Sequence, residues 1–243
     1  MPKIQFYDNF EIAFKDVNLD FDERKYNMFM QYLDLILKWN EKINLTSITD
    51  KKQIIQKHFI DSVKIYKFPS LIDLKNVIDI GTGAGFPGVP MKIANDSINI
   101  TLVDSTLKKV KFLNELISKL KLTSTYSLHE RAENLCRQDV YREKFDLVVS
   151  RAVANLKLLC EICLPLVKKD KYFVALKGPS VYEEIKDASK NIGIFGGRIV
   201  DVKEVNIETS NYRHNIVIIE KMEITPGIFP RKPKTIGKDA CFT

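Results

Sequence analysis

The sequence predicts an α/β protein built on a doubly wound, mostly parallel sheet, with a helical N-terminal extension and a C-terminal antiparallel hairpin. Three observations point there. From residue 76 onward, short apolar runs alternate with longer amphipathic segments, as strands joined by crossover helices do. The first of these runs leads straight into a glycine-rich turn. The last two runs follow each other with no helical segment between them, which places an antiparallel pair at the sheet edge. A length of 243 residues suits one core with an extension rather than two independent domains.

Taken in order, the first 70 residues read as helical. Asp22 can cap a helix whose apolar residues Tyr26, Phe29, Met30, Leu33, Ile36 and Leu37 recur at three and four. Asn44-Leu45-Thr46-Ser47 interrupts it. A second helix is expected over about 51–66, with Ile54, Ile55, His58, Phe59 and Val63 on one face, and Phe68-Pro69-Ser70 closes the extension. Strands are expected at 77–80, 98–103, 125–129, 145–149 and 172–176, then at 198–207 and 215–221 for the hairpin. The segment 105–120 should be a helix, with Val110, Leu113, Leu116, Ile117 and Leu120 inside and Lys108, Lys109, Lys111 and Lys119 in solvent. The organisation is thus an extension over 1–70, a core domain over 71–221 and a basic tail over 222–243.

Composition narrows the function classes. Apolar residues make up 45% and charged residues 28%, the balance of a soluble globular protein. No apolar run approaches the ~20 residues that span a bilayer, and the N-terminus has no secretory pattern, so a cytoplasmic protein with no membrane role is expected. Four cysteines are too few and too unevenly placed for a disulfide framework. Cys160 and Cys163 form C-x-x-C, but they share an apolar helix face without a second ligand pair, which reads as packing; no metal site is expected. The formal charge of +7 leans toward an anionic partner.

The most informative stretch is Val77-Ile78-Asp79-Ile80-Gly81-Thr82-Gly83-Ala84-Gly85-Phe86-Pro87-Gly88, a buried strand running into a cofactor turn and a helix. Glycine is needed where a Cβ would block positive φ or the approach of a ligand to the backbone. G-x-G-x-x-G alone fits an NAD(P) site as well as an S-adenosylmethionine site. Asp104, about 20 residues on, suits the ribose hydroxyls of either cofactor. Asp79 discriminates, since a carboxylate at the strand end can engage the ammonium of a methionine moiety and would repel a pyrophosphate. With the terminal hairpin, this favours S-adenosylmethionine, leaving S-adenosylhomocysteine as product. An NAD(P) oxidoreductase, a small-molecule methyltransferase and a noncatalytic RNA-binding factor stand as alternatives.

These residues belong to a wider pattern. Trp39-Asn40 with Asn44-Leu45-Thr46, His58-Phe59-Ile60-Asp61-Ser62, the glycine loop, Asp104-Ser105, Arg131-Ala132-Glu133, Ser150-Arg151-Ala152, Ala175-Leu176-Lys177-Gly178 and Pro230-Arg231 all recur in it. Along nearly its whole length the sequence resembles the RsmG (GidB) family of 16S rRNA guanine-N7 methyltransferases. The resemblance implies the Rossmann-like class I methyltransferase fold, methyl transfer to a guanine of the decoding region (position 527 of that RNA), and 16S rRNA or the small ribosomal subunit as partner of a monomeric enzyme. It implies a cofactor site lined by Gly81, Phe86, Ala132, Glu133 and Arg151 with the loop after Asp104, including Ser105 and Thr106. Asp79, Gly83 and Gly85 join that set from the loop itself. After Pro230-Arg231 this chain has Lys232-Pro233-Lys234 where the family pattern would place glycine.

The chemistry agrees with the resemblance. Guanine N7 carries an in-plane lone pair and attacks a sulfonium methyl without first losing a proton, so no general base is required and placement dominates. Ser150-Arg151-Ala152-Val153 after the fourth strand lacks the Asn/Asp-Pro-Pro-aromatic element of adenine amino-group methyltransferases, and no cysteine is placed as a nucleophile. Arg151 and Lys177, at the ends of neighbouring strands, are the catalytic candidates. RNA contacts are expected from His58, Lys177, Arg231 and Lys232, with Arg213, His214 and Lys234 nearby in sequence. Phe86, Tyr212 and Phe229 are candidate stacking platforms.

Overall fold

The computed structural model describes residues 5–151, 154–207 and 212–231. Helix α1 (Tyr7–Asp16) and helix α2 (Glu23–Asn40) open the chain. Asp22 caps α2 as expected, its carboxylate accepting from the Lys25 amide at 2.7 Å. The buried stripe of α2 is Tyr26, Phe29, Tyr32, Leu33, Leu35 and Ile36, so Met30 and Leu37 lie at its margin.

The segment expected as one helix over 51–66 is helical but not uniform. Helix α3 (Lys51–Ile54) passes into a π turn (Ile55–Ile60), then α4 (Asp61–Val63) and a 3-10 turn (Lys64–Lys67). The wider turn shifts the residues beyond it around the axis. Polar Asp61, Ser62 and Lys64 are thereby buried beside apolar Ile54, Phe59 and Val63. Ser62 donates back to the His58 carbonyl, and Lys64 is neutralised by Asp16 at 2.6 Å.

The remainder alternates. It runs β1 (Asn76–Ile80), α5 (Gly88–Ala94), β2 (Asn99–Asp104), α6 (Leu107–Lys119), β3 (Thr125–His129), α7 (Ala132–Leu135), β4 (Phe145–Arg151), α8 (Leu156–Cys163), β5 (Val167–Lys177), α9 (Val181–Ile194), β6 (Gly197–Asn206) and β7 (Arg213–Lys221). The sheet order is β3-β2-β1-β4-β5-β7-β6, parallel through β5, with β7 antiparallel between β5 and β6. Every expected strand is present, and the hairpin forms.

The two-residue period of a strand decides which face each side chain covers. Val174 and Leu176 of β5 join the core made with the N-terminal helices and α6, while Phe173 and Ala175 join the core under α8 and α9. Helix α6 buries Val110, Leu113 and Leu116 as expected, and Phe112 as well, against Trp39 of α2. Cys136, Cys160 and Cys163 are buried, and burial pushes the Cys136 thiol up to about 12. Among the described residues no cluster could hold a metal ion, and no helix is long and apolar enough to cross a membrane.

Candidate active site

The strand order reverses at β1 and β4, so their carboxyl ends open a crevice. The glycine loop turns over this edge with Gly81, Gly83 and Gly85 at φ 70°, 61° and 96°. At Gly85 a Cβ would also meet the Tyr32 hydroxyl at 2.6 Å. Tyr32 donates that hydroxyl to the Ala84 carbonyl, tying the N-terminal extension to the loop.

Asp79 is fully buried beneath the loop. Its Oδ2 accepts from the Thr82 hydroxyl at 2.7 Å and from the Gly88 amide at 2.8 Å. Its Oδ1 has no hydrogen-bond partner among the described residues, and burial pushes the carboxyl up to about 7. Asp79 is therefore a strut of the loop. The expectation that it meets a ligand ammonium runs against this geometry: Oδ2 is held by its own loop, Oδ1 is sealed from solvent, and the residue does not line the cavity beside the loop.

Five of the loop amides are likewise committed. Those of Thr82, Gly83, Gly85, Phe86 and Gly88 donate to Val103 O, Asp104 Oδ2, Thr82 O, Thr82 O and Asp79 Oδ2. A pyrophosphate cradled by backbone N–H groups would find these donors taken.

Beside the loop lies a cavity of roughly 310 Å³. Gly81, Asp104 and Ser105 form one side, Glu130, Arg131, Ala132 and Glu133 after β3 another, and Asn155, Leu158 and Ile162 of the α8 region a third. Asp104 is positioned by two backbone amides, Gly83 to Oδ2 at 3.0 Å and Thr106 to Oδ1 at 2.8 Å, with Lys109 at 3.7 Å. Three carboxylates against one guanidinium give this cavity a net negative lining. It suits a cationic ligand with a ribose and an apolar ring system, which the Val103, Ala132, Leu158 and Ile162 walls would cover.

A second cavity, roughly 290 Å³, opens at the ends of β4 and β5, lined by Lys57, His58, Asp61, Arg151, Lys177, Tyr212 and His214 among others. Lys177 donates to the Ala154 carbonyl at 2.7 Å, and Ala154 also lines the first cavity, so the two sites share a wall. Lys177 is paired with Glu184 at 2.6 Å. Arg151 lies over the Phe86 ring, 4.8 Å from its centroid, and donates to Asp61 Oδ2 at 3.1 Å and to the Lys57 carbonyl at 3.2 Å. Burial and the Arg151 charge hold His58 down at about 4, so its ring is neutral near pH 7.

The structure thus brings Gly81, Asp104, Ser105, Ala132 and Glu133 together around the first cavity, and His58, Arg151 and Lys177 around the second. Gly83 and Gly85 shape the loop without lining the first cavity. Thr106 contributes its amide to Asp104 but faces a neighbouring cleft with Lys42 and Lys108. Arg151 belongs to the second cavity, not the first. Phe86 is 6% exposed, stacked with Tyr32 and tilted against His58, so it is core rather than a platform or cofactor contact. Phe229 packs edge-on against Phe195, which leaves Tyr212 as the ring facing a cavity.

Two basic candidates are also reassigned. His214 is buried against Asp61 and offers nothing to a phosphate. Arg231 closes on Glu161 of α8, with Nε and NH2 at 2.9 and 2.7 Å from its two oxygens, so it anchors the tail. Arg213 is exposed beside Glu204, while Lys232 and Lys234 lie outside the described residues. Glu130, Asn155, Leu158 and Ile162 had not been singled out. The signal for them was positional, since residues just after the third and fourth strands of a doubly wound sheet border its crevice.

Comparison with known proteins places the chain in a family. The sequence model of the family described as rRNA small subunit methyltransferase G (GidB) matches residues 25–215. A protein of Clostridium novyi (strain NT) named Ribosomal RNA small subunit methyltransferase G is 51% identical over 233 residues, 96% of each chain. One of the same name from Clostridium botulinum (strain Loch Maree / Type A3) is 50% identical, covering 97% of this chain and 99% of that one. Among solved structures, a mutant of MtNAS superposes with a TM-score of 0.55 over 92% of this chain and 90% of that one, at 11% identity, a likeness of fold alone. The fold is that of class I methyltransferases, and the chain belongs to the rRNA small subunit methyltransferase G family.

Proposed function

We propose that this chain transfers a methyl group from S-adenosylmethionine to N7 of a guanine in 16S rRNA of the small ribosomal subunit, acting in the cytoplasm and releasing S-adenosylhomocysteine. The observation that carries the cofactor assignment is the glycine loop with five of its amides spent internally, set beside a cavity with an acidic lining. That pair of features disfavours a dinucleotide and suits a cation.

When bound, the cofactor supplies an electrophilic methyl on sulfur. The chain's own part is to hold and orient. Asp104, fixed by the Gly83 and Thr106 amides, offers its remaining lone pairs to the ribose hydroxyls. Leu158, Ile162 and Ala132 cover the adenine faces, and Glu130 and Glu133 lie where positive charge is welcome. The second cavity receives the guanine. Tyr212 offers a ring, and Arg151 and Lys177 offer donors to the oxygens of the nucleotide.

The absence of a required base fits the residues present. His58 is neutral, but its Nε2 lies 3.0 Å from the Thr46 hydroxyl and its Nδ1 lies 3.3 Å from Arg151 NH2. Lys177 is committed to Glu184. Neither is arranged to remove a proton, and N7 has none to lose. Rate enhancement then rests on orientation, worth about 7–11 kcal/mol in favourable cases.

The test is to incubate the full-length protein with methyl-labelled S-adenosylmethionine and small subunits lacking the modification, then digest the RNA and identify the labelled nucleoside by mass spectrometry. Labelled 7-methylguanosine at one site is expected. Tight cofactor binding without transfer to the RNA would overturn the substrate, and absence of cofactor binding would overturn the reaction.

A further inference from the structure

We propose that Asp61 is a positioning residue that acts through Arg151. It is a buried carboxylate, clamped between Arg151 and His214, that aims the guanidinium into the cavity assigned above to the target nucleotide; the inference rests on that assignment. Asp61 is 1% exposed and His214 is 3% exposed, so this contact is shut off from solvent. Asp61 Oδ2 accepts from Arg151 NH1, and Oδ1 faces His214 Nδ1.

The neighbours complete the orientation. Arg151 NH1 also donates to the Lys57 carbonyl, and NH2 approaches His58 Nδ1. His58 Nδ1 also lies 3.1 Å from the Lys57 carbonyl and its Nε2 lies 3.0 Å from Thr46 Oγ1, so the ring is held at both nitrogens. Thr46 Oγ1 in turn accepts from the Ile48 amide. Below the guanidinium plane sits the Phe86 ring. Of the five N–H donors on Arg151, the two on NH1 meet Asp61 and the Lys57 carbonyl, while NH2 lies against the His58 ring nitrogen. The plane is fixed on one edge and one face, while the residue as a whole lines the cavity.

Stability alone is a poor reason for such a cluster, because a buried ion pair rarely outperforms well-packed apolar side chains. Its placement gives a better one. Asp61 comes from α4, Arg151 from the end of β4 and His214 from β7, so one carboxylate registers three distant segments on the arginine that faces the cavity. The π turn just before α4 belongs to the same arrangement, since it brings Asp61 onto the buried side.

The experiment is a double-mutant cycle in the methylation assay, with Asp61→Asn, Arg151→Met and both together in the full-length chain. Asp61→Asn should lower kcat by about tenfold or more, leaving KM for the subunits and calorimetric affinity for S-adenosylmethionine within about threefold of wild type. Because Asp61 acts through Arg151, adding Asp61→Asn to Arg151→Met should cost less than about twofold more. The inference is overturned if Asp61→Asn keeps the wild-type kcat, or if it slows the Arg151→Met enzyme by the same factor as the wild type. If Asp61→Asn alone does not fold, Asp61→Glu, which keeps the charge and displaces the carboxylate, takes its place at both corners of the cycle and is judged by the same two factors. A wild-type chain that makes no 7-methylguanosine would overturn the proposed function and this inference with it.

Discussion

Replacing Asp104 with asparagine keeps the size of the side chain and removes its charge, which separates two roles that the native carboxylate combines. Two backbone amides point at its two oxygens, Gly83 at 3.0 Å and Thr106 at 2.8 Å. A carboxamide has one acceptor oxygen, so whichever way it turns, one amide N–H faces an NH2 group. Such a buried unmatched donor costs about 1–3 kcal/mol. At about 2–4 °C per kcal/mol for a domain of this size, Tm falls by roughly 2–12 °C whether or not cofactor is present. The second loss appears only on binding: a ribose hydroxyl gives up a hydrogen bond to a charged acceptor, about 1.5–3 kcal/mol, or a Kd higher by roughly 10- to 150-fold. Scanning calorimetry measures the first effect and titration with S-adenosylmethionine the second. A lower Tm with an unchanged Kd would refute the ribose assignment and leave Asp104 as a loop support only.

Three further outcomes are expected. Gly85→Ala forces a side chain into φ 96° against the Tyr32 hydroxyl; a loss of about 1–2 kcal/mol from backbone strain alone should appear as a lower urea midpoint, and a wild-type midpoint would contradict the strained turn. Arg231→Ala strands Glu161, which is 2% exposed. Since the arginine side chain is itself 35% exposed, the loss should fall below the 3–5 kcal/mol typical of a broken buried pair, at about 1–3 kcal/mol. KM for the subunits should stay put, and a large rise in KM would restore Arg231 as an RNA contact. For pH, Asp79 has its folded pKa raised to about 7 from 3.8, so its contribution to stability is full below about pH 4 and is lost as pH rises through about 7. Asp79→Asn should flatten that decline between about pH 4 and 7. His58 runs the other way: with its folded pKa lowered to about 4 from 6.5, stability is full above about pH 6.5 and falls as pH drops toward 4. Urea midpoints at several pH values in both proteins check the signs.

The strands and their order of use were legible because a buried parallel strand reads as a short apolar run whatever packs on it, and the glycine loop because positive φ selects one residue type. The place of Asp104 at the end of its strand, on the cavity wall, was legible from its spacing. Asp79 was misread for a definite reason: a carboxylate near a turn can face outward or inward, and the Thr82 hydroxyl and Gly88 amide decide which only once the loop has closed. Arg231 and His214 were misread for a related one. Their partners Glu161 and Asp61 lie 70 and 153 residues away, so in sequence each looked like a basic residue open to a phosphate. Phe86 combined an aromatic ring with a place in the cofactor loop, yet Tyr32 and Phe59 from the extension claim both its neighbours in space. The π turn left no mark that periodicity could register, because it displaces a helix by one residue within a segment buried nearly all round.

The position of β7 between β5 and β6 matters for synthesis. As the chain leaves the ribosome, β6 emerges before the strand that must lie inside it, and no register on β5 is its own. Among the described residues the last strand made is therefore a keystone: only when it is threaded into place do β6 and the sheet become continuous. It is also the strand that carries His214 to Asp61. A nascent chain halted before residue 213 would carry the whole glycine loop yet lack the finished arginine cavity, so the cofactor half of this protein can be complete well before the half assigned to RNA.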